Sequence, residues 1–261
     1  MAYIKEYWTD KEKRAEQARE HTREMQNVYG QRIKESVRDT IIYDTDFVCK
    51  KTNSCETNII VEELDSVSSI IKHVGECKNR MAVLNFSSYK NPGGMFINGS
   101  KAQEECLCHE SFLYNVLSQF VMEFYDWNSK HKNKALYLNR ALYSPNIIFN
   151  KNGSCVSCDV ITCACPNKSA AQKYLNVSDK ENTEVLKSRI KYVLDIAKDN
   201  NVDTLILGAY GCGVFGQDAR EVASIFKEYL NTTHKCFERV IFAIPKGRDG
   251  NLEAFKRVFF R

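Results

Sequence analysis

Three glycine-bearing turns, each directly after a short apolar run, constrain this chain more than any other feature. NPGG (91–94) follows MAVLNF (81–86), GCGVFG (211–216) follows TLILGAY (204–210), and KGRDG (246–250) follows VIFAIP (240–245). Apolar runs this short, bounded by glycine, read as buried strands. Helix-period segments alternate with them: NTEVLKSRIKYVLDIAKDN (182–200), DAREVASIFKEYL (218–230) and NLEAFKRVFF (251–260). Further strand candidates are IIYDT (41–45), NIIVEE (58–63) and DVITCAC (159–165), and a helix is expected from Lys101 to about Tyr125. Strands alternating with helices predict an α/β fold, a largely parallel sheet covered on both faces. Parallel strands would bring the three glycine turns to one sheet edge, where such folds bind ligands.

With 261 residues, the chain is long enough for one large domain, or one domain with an extension. Thr9 to Asp39 is rich in Lys, Arg, Glu and Gln, with a narrow stripe of Met25, Val28, Tyr29, Ile33 and Val37. It predicts one or two exposed helices, so residues 1–40 are expected to be an N-terminal helical extension and 41–261 the main domain. Net charge is +4, too small to imply nucleic-acid binding but compatible with an anionic ligand. No apolar run approaches the ~20 residues that cross a bilayer. The N-terminus is charged from Lys5 onward and lacks the apolar segment of a secretory signal. A cytoplasmic protein is expected, with no membrane partner, and its eleven cysteines are expected to be free thiols.

Two places carry candidate chemistry. Gly211-Cys212-Gly213-Val214-Phe215-Gly216 leads from a strand to a helix near Asp218. Glycines let backbone N–H groups approach a ligand, and a helix start adds further donors, a combination that suits phosphate. The spacing matches neither nucleotide-binding fingerprint, GxxxxGK[ST] or GxGxxG. The plainer reading, a tight turn with Asp218 as N-cap, stands at about even weight. The other place is Gly93-Gly94 followed by Gln103-Glu104-Glu105. An isolated acidic pair in a first helical turn usually complements the helix dipole. Here it follows a glycine loop at the ligand edge, where burial, a second acid and a bound anion would oppose the dipole. A carboxyl so poised is a plausible general acid for a glycosidic oxygen.

NPGGMFINGSKAQEE resembles the GGG-x6–8-QEE signature of bacterial-type poly(ADP-ribose) glycohydrolases. VLNFSSYKNPGG, QEECLCHESFLY, VITCACPN, LGAYGCGVFGQD and VIFAIP resemble that family's segments in the same order, over roughly Thr40 to Arg261. The resemblance implies a macro domain, three α/β/α layers around a mixed, mostly parallel sheet, that binds ADP-ribose without a cofactor or metal. It implies Glu105 as catalytic acid and base and Glu104 as its neighbour holding ribose hydroxyls. Gly93 and Gly94 would lie beside the distal ribose and diphosphate. Gly211, Cys212, Gly213 and Val214 would form the diphosphate loop, Phe215 would position the distal ribose, and Gln103 and Asn91 are further ligand-binding candidates. The signature's third glycine is Met95. A Cβ there restricts φ > 0, which keeps a non-hydrolytic ADP-ribose reader as the alternative. Hydrolysis of mono-ADP-ribosylated protein or nucleic acid is a further alternative, nucleic acid entering only as a modified substrate.

Cys155-x2-Cys158-x4-Cys163-x-Cys165 invites a zinc reading, but zinc sites usually use two short pairs separated by a long spacer, and buried or free thiols are the weightier expectation. His109, one turn after Glu105, reads as a packing or surface residue before a functional one. A thiolate at Cys212 would be disfavoured beside phosphate. For an adenine pocket, residues near Ile244 and Phe255 are the only candidates.

Overall fold

The computed structural model describes residues 10–52, 54–247 and 249–260. The charged residues 1–8, the basis for expecting no signal peptide, lie outside them. Seven strands form one sheet: β1 (Ile41–Tyr43), β2 (Asn58–Glu62), β3 (Met81–Phe86), β4 (Ala141–Lys151), β5 (Ser154–Cys163), β6 (Thr204–Leu207) and β7 (Arg239–Ala243). Their spatial order is β1-β4-β5-β3-β6-β7-β2. From β5 through β3, β6 and β7 to β2 every neighbour is parallel, while β1–β4 and β4–β5 are antiparallel. The sheet is therefore mixed and mostly parallel.

Strand periodicity divides the core in two, because successive side chains leave opposite faces. Ala82, Leu84, Leu205, Leu207, Val240 and Phe242 point to one face. They meet α7 (Asp179–Asp199), α8 (Ala219–Asn231) and α9 (Asn251–Phe260). Met81, Val83, Ile206 and Ile241 point to the other, against α1 (Lys11–Asp39), α2 (Ser66–His73), α3 (Gln103–His109) and α4 (Leu113–Leu117). Two further short helices are α5 (Asp126–Lys130) and α6 (Lys168–Leu175). The result is the three-layer α/β/α arrangement with an N-terminal helix laid on one face. Among the described residues no helix is long and apolar enough to cross a membrane.

Over its described residues the extension is one 29-residue helix with a kink at Tyr29 (φ −114°, ψ 16°). Asp10 caps its start through the N–H groups of Glu12 and Lys13. Met25 and Ile33 are buried in the core as the stripe predicts, with Tyr29 and Val37 partly so. Val28 departs from the stripe and is exposed. Burying a residue such as Met25 or Ile33 contributes about 1.5–3 kcal/mol, so the helix is anchored.

The single helix expected over 101–125 is broken. α3 ends at His109 because the chain then pairs with β4: Asn150 N–H donates to Glu110 O at 2.7 Å, and Ser111 bridges Phe149. The helical path resumes at Leu113 and includes a wide π turn over Val121–Tyr125.

Candidate active site

β3, β6 and β7 end side by side, and their three glycine turns share one sheet edge, as parallel strands require. A groove runs over this edge as three adjoining cavities. The first, ~360 Å³, is lined by Val67, Phe86, Gln103, Ile244 and Pro245 among others. The second, ~250 Å³, continues over Phe86, Cys165, Gly211, Gly213, Val214 and Phe215. The third, ~580 Å³, holds Ser88, Gly94, Glu104, Glu105, Tyr137 and Asn167, and shares Val214 and Phe215 with the second.

Glu104 and Glu105 occupy the first turn of α3 and are almost wholly buried, 3% and 6% exposed. Glu105 sits three residues into the helix and reaches back, its Oε2 accepting the Ala102 N–H at 2.8 Å. This is half of a capping box. Its Oε1 accepts the Met95 N–H at 2.9 Å. Glu104 Oε1 accepts from Asn85 Nδ2 at 3.2 Å, and its Oε2 from the Ser88 N–H at 2.6 Å. Burial pushes the Glu104 carboxyl up to about 8, with the Glu105 charge adding to the rise; the N–H of Ser88 and the amide of Asn85 oppose it. Burial therefore favours the protonated form of Glu104.

Gly93 and Gly94 both have φ near +60°. A Cβ on Gly94 would come 2.6 Å from Glu105 Oε1 and 2.9 Å from Glu104 Oε2. That glycine is needed because the loop presses its backbone onto the acidic pair. Met95, by contrast, has φ −110°. The conformation suits any residue, the side chain is 43% exposed, and its N–H serves Glu105. The expected conflict at this position does not arise.

Gln103 lines the groove with its carbon chain while its amide clamps β3 to α2. Its Oε1 accepts the Phe86 N–H at 2.9 Å, and its Nε2 donates to Leu84 O at 2.8 Å and Ser66 Oγ at 3.1 Å. Gly93 lies under the loop, and Asn91 lies outside the groove wall, exposed, with its carbonyl accepting the Gly94 N–H.

The second loop is built differently. Gly211 (φ +76°) rests on Cys165, whose sulfur a Cβ would overlap. Gly213 has open space where a Cβ would stand, and Val214 is 90% exposed. Hydrogen bonds from Cys212, Gly216 and Gln217 N–H close the turn. Those of Gly213, Val214 and Phe215 have no protein acceptor among the described residues. Asp218 caps α8 through the N–H groups of Arg220 and Glu221, as the plainer reading of this turn expects. The Cys212 side chain turns away from the acidic pair toward Asp218 and Asp249. Burial and those two carboxylates push its thiol up to about 12, which argues against a nucleophile.

The groove wall also contains residues that sequence reading missed: Asn85, a fully buried polar residue behind Glu104, and Ser88, Tyr137 and Asn167. Tyr137 stacks on Tyr89 at 4.2 Å and approaches Phe215 at 6.2 Å. Asn85 carried a signal, an amide inside the apolar run MAVLNF; the others carried none. His109 packs edge-on against Phe96 at 4.6 Å, and burial lowers it to about 4. Cys155 and Cys163 stand eight residues apart along β5, roughly 26 Å at ~3.3 Å per residue, too far to share a cation. No group of three or more His, Cys, Asp or Glu that could hold a metal occurs among the described residues. Of the two adenine candidates, Ile244 lines the first cavity, while Phe255 is buried against Phe242.

The family profile described as microbial-type PARG, catalytic domain, matches residues 10–152. Among solved structures, the poly(ADP-ribose) glycohydrolase of Thermomonospora curvata bound to the inhibitor ADP-HPD is 26% identical. The match covers 95% of this chain and 100% of that one, with TM-score 0.82. The Deinococcus radiodurans poly(ADP-ribose) glycohydrolase in complex with ADP-ribose is 28% identical over 87% of this chain and 96% of that one, with TM-score 0.80. The apo form from the same organism is 26% identical with TM-score 0.77, over 87% and 95%. No curated protein matches the chain.

Proposed function

The chain belongs to the microbial-type poly(ADP-ribose) glycohydrolase catalytic-domain family, and from that premise we propose that it hydrolyses ribose–ribose O-glycosidic bonds of poly(ADP-ribose) to release ADP-ribose, with Glu105 as general acid and then base. The single observation that carries this reading is the groove: two buried adjacent carboxyls at one end, a loop of unused N–H donors in the middle, an apolar chamber at the other end. Adenine fits the apolar chamber beside Ile244 and Val67. The diphosphate fits against the N–H groups of Gly213, Val214 and Phe215. The distal ribose then lies between Phe215 and the acids.

Bond cleavage passes through an oxocarbenium-like state. Glu105 enters the step protonated, gives that proton to the departing ribose oxygen, and afterwards takes one back from the attacking water, which restores the acid. Glu104, held neutral by burial, donates to a ribose hydroxyl and fixes the sugar. The usual glycosidase plan sets two carboxylates on opposite sides of the bond. Two acids on one helical turn cannot do that, so a single residue serves in both steps. The substrate's diphosphate, held nearby, stabilises the positive charge that develops.

The reader alternative drew its support from Met95, and at φ −110° that support is gone. A cytoplasmic setting, and the division into an extension of residues 1–40 and a macro-domain-like glycohydrolase domain of 41–261, belong to this proposal as well. Incubating the protein with poly(ADP-ribose) and, separately, with mono-ADP-ribosylated peptide tests it. Free ADP-ribose from the polymer supports the proposal. Release from the mono-modified peptide alone moves the substrate class, and release from neither makes the protein a reader.

A further inference from the structure

Behind the second cavity lies a cation that the mechanism above does not use. Arg189, on α7, is 0% exposed. Its Nε donates to Asn139 Oδ1 at 2.8 Å, its Nη1 to Ala164 O, and its Nη2 to Leu136 O at 3.5 Å. Every acceptor is neutral, and among the described residues no carboxylate forms an ion pair with it. The ionisable groups that feel its charge most are Cys163, Tyr210, Cys165 and Tyr89. All four are thiols or phenols that burial pushes up, so they are neutral at pH 7. A fully buried guanidinium without a counter-charge is costly and rare.

Its place explains why such a charge would be kept. Ala164, which takes the Nη1 hydrogen bond, is followed by Cys165, and Cys165 forms the floor of the second cavity beneath Gly211. Leu136, which takes Nη2, is followed by Tyr137 in the wall of the third cavity. The guanidinium also acts on the Tyr137 phenol. Its field therefore reaches the groove where the second and third cavities meet, next to the open N–H groups of Gly213, Val214 and Phe215.

We propose that Arg189 is a positioning residue whose missing counter-ion is the ligand's diphosphate: a fixed positive charge beneath the groove floor that attracts the dianion through Cys165 and the Gly211 turn without touching it. This inference rests on the ADP-ribose reading of the groove. Such a charge is already dehydrated and fixed, so it costs no reorganisation when the anion arrives. Being buried, it is screened by salt less than a surface lysine.

Calorimetric titration of ADP-ribose and of adenosine, which lacks the diphosphate, into four proteins tests it. The proteins are wild type, Arg189→Met, Arg189→Lys and Asn139→Asp. Asn139→Asp matters most, because it keeps the arginine and its packing but sets a carboxylate against the guanidinium. Arg189→Met and Asn139→Asp should each weaken ADP-ribose by about tenfold, the order expected when one unit charge roughly 12 Å from an anion is removed or neutralised at an effective dielectric constant of about 20. Adenosine affinity should stay the same in both, and Arg189→Lys should retain most of the ADP-ribose affinity. Equal losses for ADP-ribose and adenosine would reduce Arg189 to a packing role and overturn the proposal. So would an unchanged ADP-ribose affinity in Asn139→Asp. A wild type that binds no ADP-ribose would sink the functional reading itself, a different result from a wild type that binds and variants that do not differ.

Discussion

Around the first glycine loop the N–H groups of Ser88 and Met95 turn inward onto Glu104 and Glu105. In the second, those of Gly213, Val214 and Phe215, residues that line the groove, have no protein acceptor among the described residues. Both loops follow a buried parallel strand and both carry positive-φ glycines, yet they spend their donors differently. The first holds its own carboxyls in a fixed pose, which is what proton transfer needs. The second leaves its donors for a ligand, which is what anion binding needs. Sequence resemblance places Gly93 and Gly94 beside the ligand. The geometry adds that Gly94 supports the acids, its backbone pressed onto both carboxyls.

This division can be broken at several points. Gly94→Ala attacks the first loop, where a Cβ would meet both carboxyls. Displacing a catalytic group by about 1 Å costs on the order of 100-fold in rate, and the positive φ adds roughly 1–3 kcal/mol of strain. Turnover of polymer should collapse, with ADP-ribose affinity changed far less; steady-state kinetics beside calorimetry would separate the two. Val214→Pro attacks the second loop by removing one N–H while losing no packed side chain. A hydrogen bond to a charged group contributes about 1.5–3 kcal/mol, so affinity should fall tenfold or more with kcat nearly kept. A fall in kcat at unchanged affinity would invert the assignment.

The Glu104 carboxyl sharpens the comparison through pH. Raised from an ordinary 4.5 to about 8, it holds a proton that the unfolded chain releases. The stability this adds is complete below about pH 4.5 and is lost as pH rises through about 8. Denaturation midpoints should decline over that window in wild type, and Glu104→Gln should flatten the decline. The smallest effect is expected from Met95→Gly. Turnover should stay within about twofold, and stability should drop by no more than about 0.5–1 kcal/mol through backbone entropy. A large gain in activity would mean that the Met95 side chain does obstruct the site.

Much of this was legible in the sequence where one period or one residue type dominated. The runs MAVLNF and NLEAFKRVFF match β3 and α9 end to end, because the first is buried along almost its whole length and the second keeps one helical period throughout. β4 was not legible. Pro145 and Asn146 interrupt its apolar pattern, and the structure absorbs them as a bulge in which Asn146 takes φ +59° and donates its N–H to Asp159. The break after His109 was hidden for the same reason, since it depends on pairing with that unread strand. α2 was also missed: its run SVSSIIKH is serine-rich, and the helix owes its start to the Asp65 cap. At the site, Glu104, Glu105 and both glycine loops stood out by motif, whereas Tyr137 and Asn167 reach the groove only through tertiary folding.

The central claim is that Glu105 performs the chemistry while other groups bind the ligand. One preparation of Glu105→Gln, measured for ADP-ribose release from poly(ADP-ribose) and for ADP-ribose affinity beside wild type, tests it most directly. The account predicts release from wild type alone, with affinity within about threefold in the two proteins, since the amide removes proton transfer and costs only one of the two backbone N–H hydrogen bonds, from Met95 and Ala102, that Glu105 accepts. Turnover that survives in Glu105→Gln would contradict it, as would a loss of affinity as large as the loss of turnover.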